Sequence, residues 1–580
     1  MAKRYRPVDR DQPFLFPPDM RDWLPPGHPV WLVIAVVEDH LDTSGFHAAR
    51  KTGGAGTAGY DPDMLLTVLV WAYAHQVTSS RRIEQLCVTD VAFKVICAGN
   101  TPRHVTISQF RAAFPGLIGE FFAQVLALCA ALGMGKLGVV ALDGMKIAAN
   151  ASKSANRTEE TLAKLAAGTV AAHGETDAAE DDLFGAGVAG DEVPPGAWSP
   201  RQRAGRIAAA LASLQAGRAA AEAERKKAED EHLADAADGR PRPGRRPAGT
   251  DVELARMKVE RARAAQQAKV DAWDARAAAA RQPLRGCRPR DPDSYVRVAQ
   301  ARAQLEAAQA RAAAASARAA RKPDSHAGPG PVRNITDPDS RLMPVRGGGF
   351  IQGYNPQNVT SEDELIITTE LTCGTTDTEW FEPMLRKAED AAAFITARRP
   401  AADPAGGQPA RSDPGPPPGG SDPGDATARA SLIALFLADA GYLSGHNLTI
   451  DGPDRLIATG KTRDLEKAAR DHGETAAGAP WHNEAIAAMA ARLQTDDGIA
   501  AYRQRGHIAE TPHGHIKHNM RFRQLSVRGK PKAEAEWTFT CAVYNLFKAI
   551  TTGNLTTAAL DRLASQPSHP PARTHTPHPA

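Results

Sequence analysis

Apolar runs and polar, Gly- or Pro-bearing stretches alternate along the chain, and run length sorts them into elements. Met64 to Trp71 is a dense apolar run within a helical region. Ser79-Ser80-Arg81-Arg82-Ile83-Glu84 supplies serine caps and a carboxylate in the first turns of a following helix. Thr106 to Arg111 reads as another capped start, and Pro115 breaks the chain before a helix over Phe121 to Met134. That stretch contains Gln124, follows Glu120 and is too short to span a bilayer. Residues 1–130 therefore predict a helical block. Its short capped helices suit an ordinary small bundle or a helix-turn-helix-like module for DNA.

After this block the texture turns to mixed α/β. Leu-Gly-Val-Val-Ala-Leu-Asp at 137–143 predicts a buried strand that ends in a carboxylate. Further strands are expected at Phe350–Tyr354, Leu365–Leu371, Leu432–Ala438 and Asp454–Thr459. Helices are expected over 379–398, 497–519 and 534–551. The Pro/Gly-rich segment 400–424 predicts a disordered loop, and the Thr, Pro and His content of 553–580 predicts a disordered tail.

Residues 160–330 break this pattern. Ala and Arg dominate, and helical stretches near 201–233, 251–281 and 295–321 are separated by Gly/Pro breakers. Ile207, Leu211 and Leu214 form one sparse apolar stripe, and no strict heptad persists. Between Trp198 and Lys322 stand 27 Lys and Arg against 15 Asp and Glu, although the whole chain is nearly balanced at +3. The segment reads either as a solvated helical hairpin, partly disordered, or as an arm that tracks a phosphate backbone.

Composition narrows the classes. The 580 residues are 42% hydrophobic, which leaves ample chain for a buried core. Six scattered cysteines without CxxC spacing argue against a disulfide scaffold or a Cys-rich zinc site and for reduced thiols. The polar start MAKRYRPVDRD is no signal peptide, so a cytoplasmic protein is expected, with no membrane partner.

Candidate chemistry lies at strand ends. Asp143 and Asp439 each end a buried run and are followed by Gly or Ala-Gly, a small residue that lets a ligand approach the backbone. Paired carboxylates at neighbouring strand tips suit hard divalent cations, and two such ions can clamp an in-line displacement at phosphorus. Each Asp alone fits a turn or cap role better than a metal site. The stretch Tyr-Arg-Gln-Arg-Gly-His-Ile-Ala-Glu-Thr-Pro-His-Gly-His-Ile-Lys at 502–517 adds a third carboxylate. Tyr502, Arg505 and Glu510 share a face there only if the helix is slightly irregular, and Pro512 should bend or interrupt it. Glu510 would complete a three-carboxylate metal site. Arg505 and Lys517 would hold phosphates, and Tyr502 would stack on a base or bond a phosphate.

VVALDGMKIAANASKSAN, NITDPDSRLM, GGGFIQGYNPQNV, FLADAGYLS and YRQRGHIAETPHGHIK, in this order, resemble the bacterial DDE insertion-sequence transposases. The resemblance is closest to the insertion-sequence group numbered eleven eighty-two. PVDRDQPFLFPPDMRDWLPPGHPVW and GYDPDMLLTVLVWAYA are similar to that group's N-terminal transposase domain. The likeness covers about residues 5–158 and 331–552. It implies a ribonuclease H-like mixed sheet flanked by helices, split into 131–158 and 331–552 around a basic helical insertion at 159–330. It also implies an N-terminal DNA-binding domain over 1–130. Asp143, Asp439 and Glu510 fall on the family's metal-binding catalytic carboxylates. Tyr502, Arg505, Glu510 and Lys517 fall on its Tyr-Arg-Glu-Lys signature. The implied enzyme uses two Mg²⁺ ions, with Mn²⁺ able to substitute, to cleave double-stranded DNA at the terminal inverted repeats and join the 3′-OH to target DNA. A homodimer or larger assembly on paired ends, associated with the nucleoid, follows from the same resemblance. The large insertion and the 400–424 loop depart from the family.

Other readings stay open beside it. The same fold could be a DNA-binding relic without catalysis, or a structural protein organised on the basic helices. Asp337 and Asp339 fit turn chemistry better than metal binding. His507, His513, His515 and His518 lack the further ligands a zinc site needs and read as polar wall. Trp380 and Trp537 read as core.

Overall fold

A computed structural model describes residues 19–48, 59–167, 200–238, 247, 249–280, 284–321, 331–345, 348–400, 432–460 and 483–565. The chain divides into two compact units, 1–155 with 336–580 and 156–335. The expected loop at 400–424 lies, but for its first residue, outside the described residues.

Among the described residues seven α-helices open the first unit: α1 (Pro29–Ala35), α2 (Ser44–Ala48), α3 (Pro62–Ala74), α4 (Ser80–Thr89), α5 (Val91–Ile96), α6 (His104–Ala113) and α7 (Pro115–Ala131). Asp61 caps α3 and Asp90 caps α5 through their carboxylates. Pro62 and Pro115 occupy first-turn positions, where a missing N–H costs nothing. Helix α3 is buried almost all round, as its uninterrupted apolar run requires. Two strands follow, β1 (Val139–Gly144) and β2 (Ile147–Ala148).

The second unit runs from 156 to 335. Its ends form an antiparallel pair, β3 (Asn156–Thr158) with β4 (Val332–Asn334). Between them lie α8 (Pro200–Ala237), α9 (Thr250–Ala279) and α10 (Val296–Arg321). Leu162, Ile207, Ala210 and Leu214 make a small core, which realises the sparse stripe visible in the sequence. Its ion pairs, among them Arg288–Asp274 at 2.9 Å, lie on the exposed surface, where such pairs add little stability.

Back in the first unit come β5 (Arg341–Pro344), β6 (Phe350–Ser361), β7 (Ile366–Thr372), α11 (Phe381–Thr396), β8 (Leu435–Ala438), β9 (Asp454–Ile457), α12 (Glu484–Arg492) and α13 (Asp496–Arg505). After a run of altered winding, α14 (Lys530–Thr551) and α15 (Thr557–Ala564) complete the chain. The sheet is mixed. β6 runs antiparallel between β1 and β7, whereas β1, β8 and β9 are parallel neighbours. The first half of β6 instead pairs with β2 and β5.

Both faces of the sheet are covered, which explains the continuous apolar runs. Val140 and Leu142 of β1, with Phe436 and Ala438 of β8, enter the large core that also holds α3, α7, α11 and α14. Ala141, Leu437 and Leu456 face the other way, onto Met489, Leu493, Tyr502 and Ile508. The N-terminal helices share the large core: Phe539 of α14 meets Tyr73 edge-on at 5.2 Å and stacks on Phe121 at 5.3 Å.

Two elements differ from expectation. β6 extends through Ser361, seven residues beyond the expected strand. Its second half, Asn-Pro-Gln-Asn-Val-Thr-Ser, is polar yet buried, so no apolar pattern marks it. Pro356 fits because its backbone faces the joint between β1 and β2, where pairing passes from Gly144 to Ile147 and its carbonyl accepts from Met145 N–H. The expected tail at 553–580 also contains α15, capped by Thr556, with Leu560 and Leu563 buried beside Leu555. Residues 566–580 lie outside the described residues.

Gly353 sits where β6 crosses β2, and a Cβ there would lie 2.1 Å from the Ile147 carbonyl oxygen. No rotamer relieves a clash with backbone, so Gly353→Ala should cost about 1–3 kcal/mol or more. The midpoint of chemical denaturation reads this directly; an unchanged midpoint would contradict the close approach.

Candidate functional site

The expected carboxylates arrive from three elements. Asp143 sits near the end of β1, Asp439 follows β8, and Glu510 lies beyond α13. β1 and β8 are parallel neighbours, with Leu142 opposite Ala438, so their C-terminal tips bring Asp143 and Asp439 side by side. Arg505 joins all three carboxylates. Its Nη2 donates to Asp143 Oδ1 at 2.9 Å and lies 3.8 Å from Asp439 Oδ2, and its Nη1 lies 3.6 Å from Glu510 Oε1. Arg505 is 8% exposed and faces the largely buried Asp143, so that pair is weakly screened, whereas Asp439 and Glu510 present more exposed carboxylates.

Arg505 and Glu510 are five residues apart, a spacing that a 3.6-residue helix places off one face. They meet because Gly506–Glu510 is wound as a π-helix; a second π segment, His515–Asn519, follows the short α-turn Thr511–Gly514. π-turns match i to i+5 and recur at functional sites. The interruption expected at Pro512 takes the form of this change in winding.

At Lys517 burial holds the ammonium below the ordinary range, with Asp143 opposing that shift. Tyr502, expected to meet a base or a phosphate, is largely covered. It is 7% exposed, lies in the smaller core, and its hydroxyl donates to Ala438 O at 3.2 Å. It braces β8 beside Asp439.

The two aspartates differ electrostatically. Burial pushes both carboxyls up. At Asp143, His513 and Arg505 outweigh burial and hold it below the ordinary value. At Asp439 burial prevails over Arg505, and the neighbouring Asp143 adds to the rise. Asp439 also has the turn role that an isolated Asp suggests: Oδ1 accepts from Gly441 N–H at 2.8 Å, while Oδ2 faces Arg505.

Asn358 and Asp377 carried no sequence signal, and His513 read only as polar wall. His513 Nδ1 lies 3.4 Å from Asp143 Oδ2, and its Nε2 lies 3.0 Å from Asn358 Nδ2. A tautomer with the proton on Nδ1 donates to the carboxylate and accepts from the amide. Asn358 Oδ1 in turn accepts from Thr369, which accepts from Trp537 Nε1. The chain of bonds runs from the core to Asp143. Asp377 is a further carboxylate beside the pair, held at Oδ1 by Asn355 and Gln357 amides at 2.7 and 2.8 Å. It gives the glycines a different reason from the expected ligand approach. A Cβ on Gly144 would lie 2.8 Å from Asp377 Oδ1, and one on Gly441 would lie 3.3 Å from Oδ2.

The remaining candidates disperse. Asp337 accepts from Tyr354 and Gly529, and Asp339 from Lys530 N–H, so both order the re-entering chain. His507 pairs with Glu364 at 2.9 Å, His515 stacks edge-on with Tyr544, and His518 lies by Arg523. Among the described residues, His47, Asp61 and Asp63 are the group with ligand atoms within 4.8 Å of one another, and they serve as an ion pair and cap at α3. The carboxylates around Arg505 are wider apart, spread by the guanidinium. Their donors are hard oxygens, the set that fits a divalent cation such as Mg²⁺, and Glu510, with 64% of its side chain exposed, has room to swing inward.

A mixed sheet with helices on both faces and carboxylates at adjacent strand tips defines a candidate metal-dependent α/β centre. Residues 18–113 match a family described as Transposase domain (DUF772), and residues 467–550 match one described as Transposase DDE domain. These matches support a DDE transposase, a DNA-processing enzyme, and the DDE domain implies divalent-metal use and a ribonuclease H-like fold. The second match includes Tyr502, Arg505, Glu510 and Lys517; Asp143 and Asp439 fall outside it. No curated protein and no solved structure matches the chain. Among the described residues no single helix is long and apolar enough to cross a membrane.

Proposed function

We propose that this chain is an insertion-sequence transposase, similar to the group numbered eleven eighty-two, that cuts DNA at the element's ends and joins the 3′-OH to target DNA. The observation that carries the reading is the gathering of Asp143, Asp439 and Glu510, from three distant segments, around Arg505. Asp143, Asp439 and Glu510 would hold two Mg²⁺ ions, which when bound supply activation of the attacking oxygen and stabilisation of the leaving one. His513 fixes the orientation of Asp143 through its Nδ1 proton. The turn at Gly441 leaves Asp439 Oδ2 directed at the site. Arg505 bridges the carboxylates before DNA binds, then offers its planar fork to a backbone phosphate. Lys517 adds a point charge beside Asp143. The helical block up to residue 130 contributes DNA binding, and paired ends call for a homodimer or larger assembly acting in the cytoplasm on nucleoid DNA.

The test is incubation of purified protein with Mg²⁺ and a labelled duplex carrying the gene's own flanking ends, beside Asp439→Asn. Cleavage at the ends by the parent chain alone is expected. Equal cleavage by the variant would remove Asp439 from the site. Binding without cleavage by either protein, on complete ends, would favour a DNA-binding relic.

A further inference from the structure

A second polar feature lies apart from the carboxylates. A groove of about 610 Å³ opens between the N-terminal ends of α4 and α6 and the segment 521–526. Its lining includes Arg81, Arg111, Arg521 and Arg523 but no Asp or Glu. Serine hydroxyls at 79, 80, 108 and 526 and the amides of Asn150 and Gln524 complete most of the wall.

The cations differ in how far they are neutralised. Arg111 forms the floor, bonded to Thr78 O at 2.7 Å and to the Tyr73 hydroxyl, with the Glu536 carboxylate behind it. His104 is paired with Glu84 at 2.6 Å. Arg523 bonds the Lys517 carbonyl and lies by His518, with no ion-pair partner among the described residues. Arg81 and Arg521 are exposed and have no ion-pair partner among the described residues.

Two further observations point to an anionic ligand, and a third describes the Arg521 backbone. α4 begins at the groove without a side-chain cap, so its first-turn amides and positive dipole end face the opening. Ser80 Oγ is buried and has no hydrogen-bond partner among the described residues. Arg521 has φ +51°, a left-handed conformation uncommon outside glycine and stored where surroundings enforce it.

We propose that this groove holds a phosphate backbone of duplex DNA and leads it toward the carboxylate site. The chain makes the two places continuous. Arg521 follows Lys517 by four residues, and Asn150, whose Nδ2 donates to Ser526 O at 2.6 Å, follows Asp143 by seven. The groove walls come from both transposase-matched segments, so one DNA strand would bridge them. Repeated arginines, hydroxyls and amides suit a row of phosphates; a single small anion would need few of them. This inference rests on the proposed DNA substrate.

The experiment measures full-length protein binding a labelled DNA duplex across a salt series. The variants are Arg81→Glu, Arg521→Gly and their combination, with Arg562→Glu as an equal charge reversal on the exposed face of α15. Glycine accepts the Arg521 backbone, so Arg521→Gly removes charge without opposing the fold. Each groove variant should weaken binding by about tenfold and flatten the log–log salt slope by about 0.9 per lost contact. Arg562→Glu should change the slope less. A double variant that melts and binds as the parent does, with the parental slope, overturns the groove. Equal sensitivity at Arg562 overturns it too, as does tighter binding of an RNA duplex of the same sequence. Cleavage of element ends, assayed separately, tests the proposed function: normal cleavage with an unchanged slope defeats the groove alone. Lost binding in the groove variants without cleavage by the parent defeats the transposase reading alone.

Discussion

Asp143→Asn should abolish metal-dependent cleavage of element ends while leaving duplex binding near the parental level. Asp143 is the most constrained of the three carboxylates, held by Arg505 at 2.9 Å on one oxygen and by His513 at 3.4 Å on the other. The amide keeps size and loses charge, so it cannot satisfy both donors and offers a poor ligand to a divalent cation. Losing several kcal/mol of transition-state charge stabilisation corresponds to a fall on the order of 10³-fold or more in single-turnover rate. Calorimetric titration with Mn²⁺ gives a readout independent of turnover: the variant should bind the ion more weakly. Parental cleavage and parental Mn²⁺ affinity together would exclude Asp143 from the metal site.

Arg505→Ala should have the largest effect on stability. The guanidinium is buried and faces three carboxylates, so its removal leaves like charges near one another without their shared cation. Breaking a buried pair on one side typically costs about 3–5 kcal/mol. Added Mg²⁺ should recover part of this loss, since an ion that binds the folded state stabilises it by mass action. The thermal midpoint should therefore rise more with Mg²⁺ in the variant than in the parent. The pH dependence has a definite sign. Burial already raises the Asp439 carboxyl, and loss of Arg505 raises it further. A carboxyl raised in the folded state favours folding as pH falls, so the deficit should shrink from neutral toward acidic pH. A midpoint insensitive to both Mg²⁺ and pH would mean the carboxylates do not share one field.

The candidate site was partly legible in the residues. Asp143 and Asp439 stand out because each ends an apolar run, and such runs report strands buried on both faces. Glu510 needed a π-turn to join them, and a five-residue spacing to Arg505 hints at irregular winding without locating it. Tyr502 looked like a site residue on the same helix face, but β8 covers it. Asn358 and Asp377 stayed hidden, and His513 read only as polar wall, because polar residues in a strand, a loop or a helical turn look alike until their partners are known. Much of β6 was hidden for a related reason: its buried amides are satisfied by side chains distant in sequence, which leaves no hydrophobic period to read.

Local sequence by itself determined where strands β1, β8 and β9 and most helices form, and which carboxylates end the strands. Those features depend on burial and backbone preference over a few neighbouring residues. Only the tertiary structure decided which charges meet. Arg505 and Asp143 are 362 residues apart, and their contact exists because parallel β1 and β8 align two strand tips beneath a helix that changes winding. The same holds for the arginine groove, whose walls come from residues 78–111, Asn150 and residues 521–526. Charge acts through space, so its partners follow from how the sheet and helices pack and leave no trace in the order of residues.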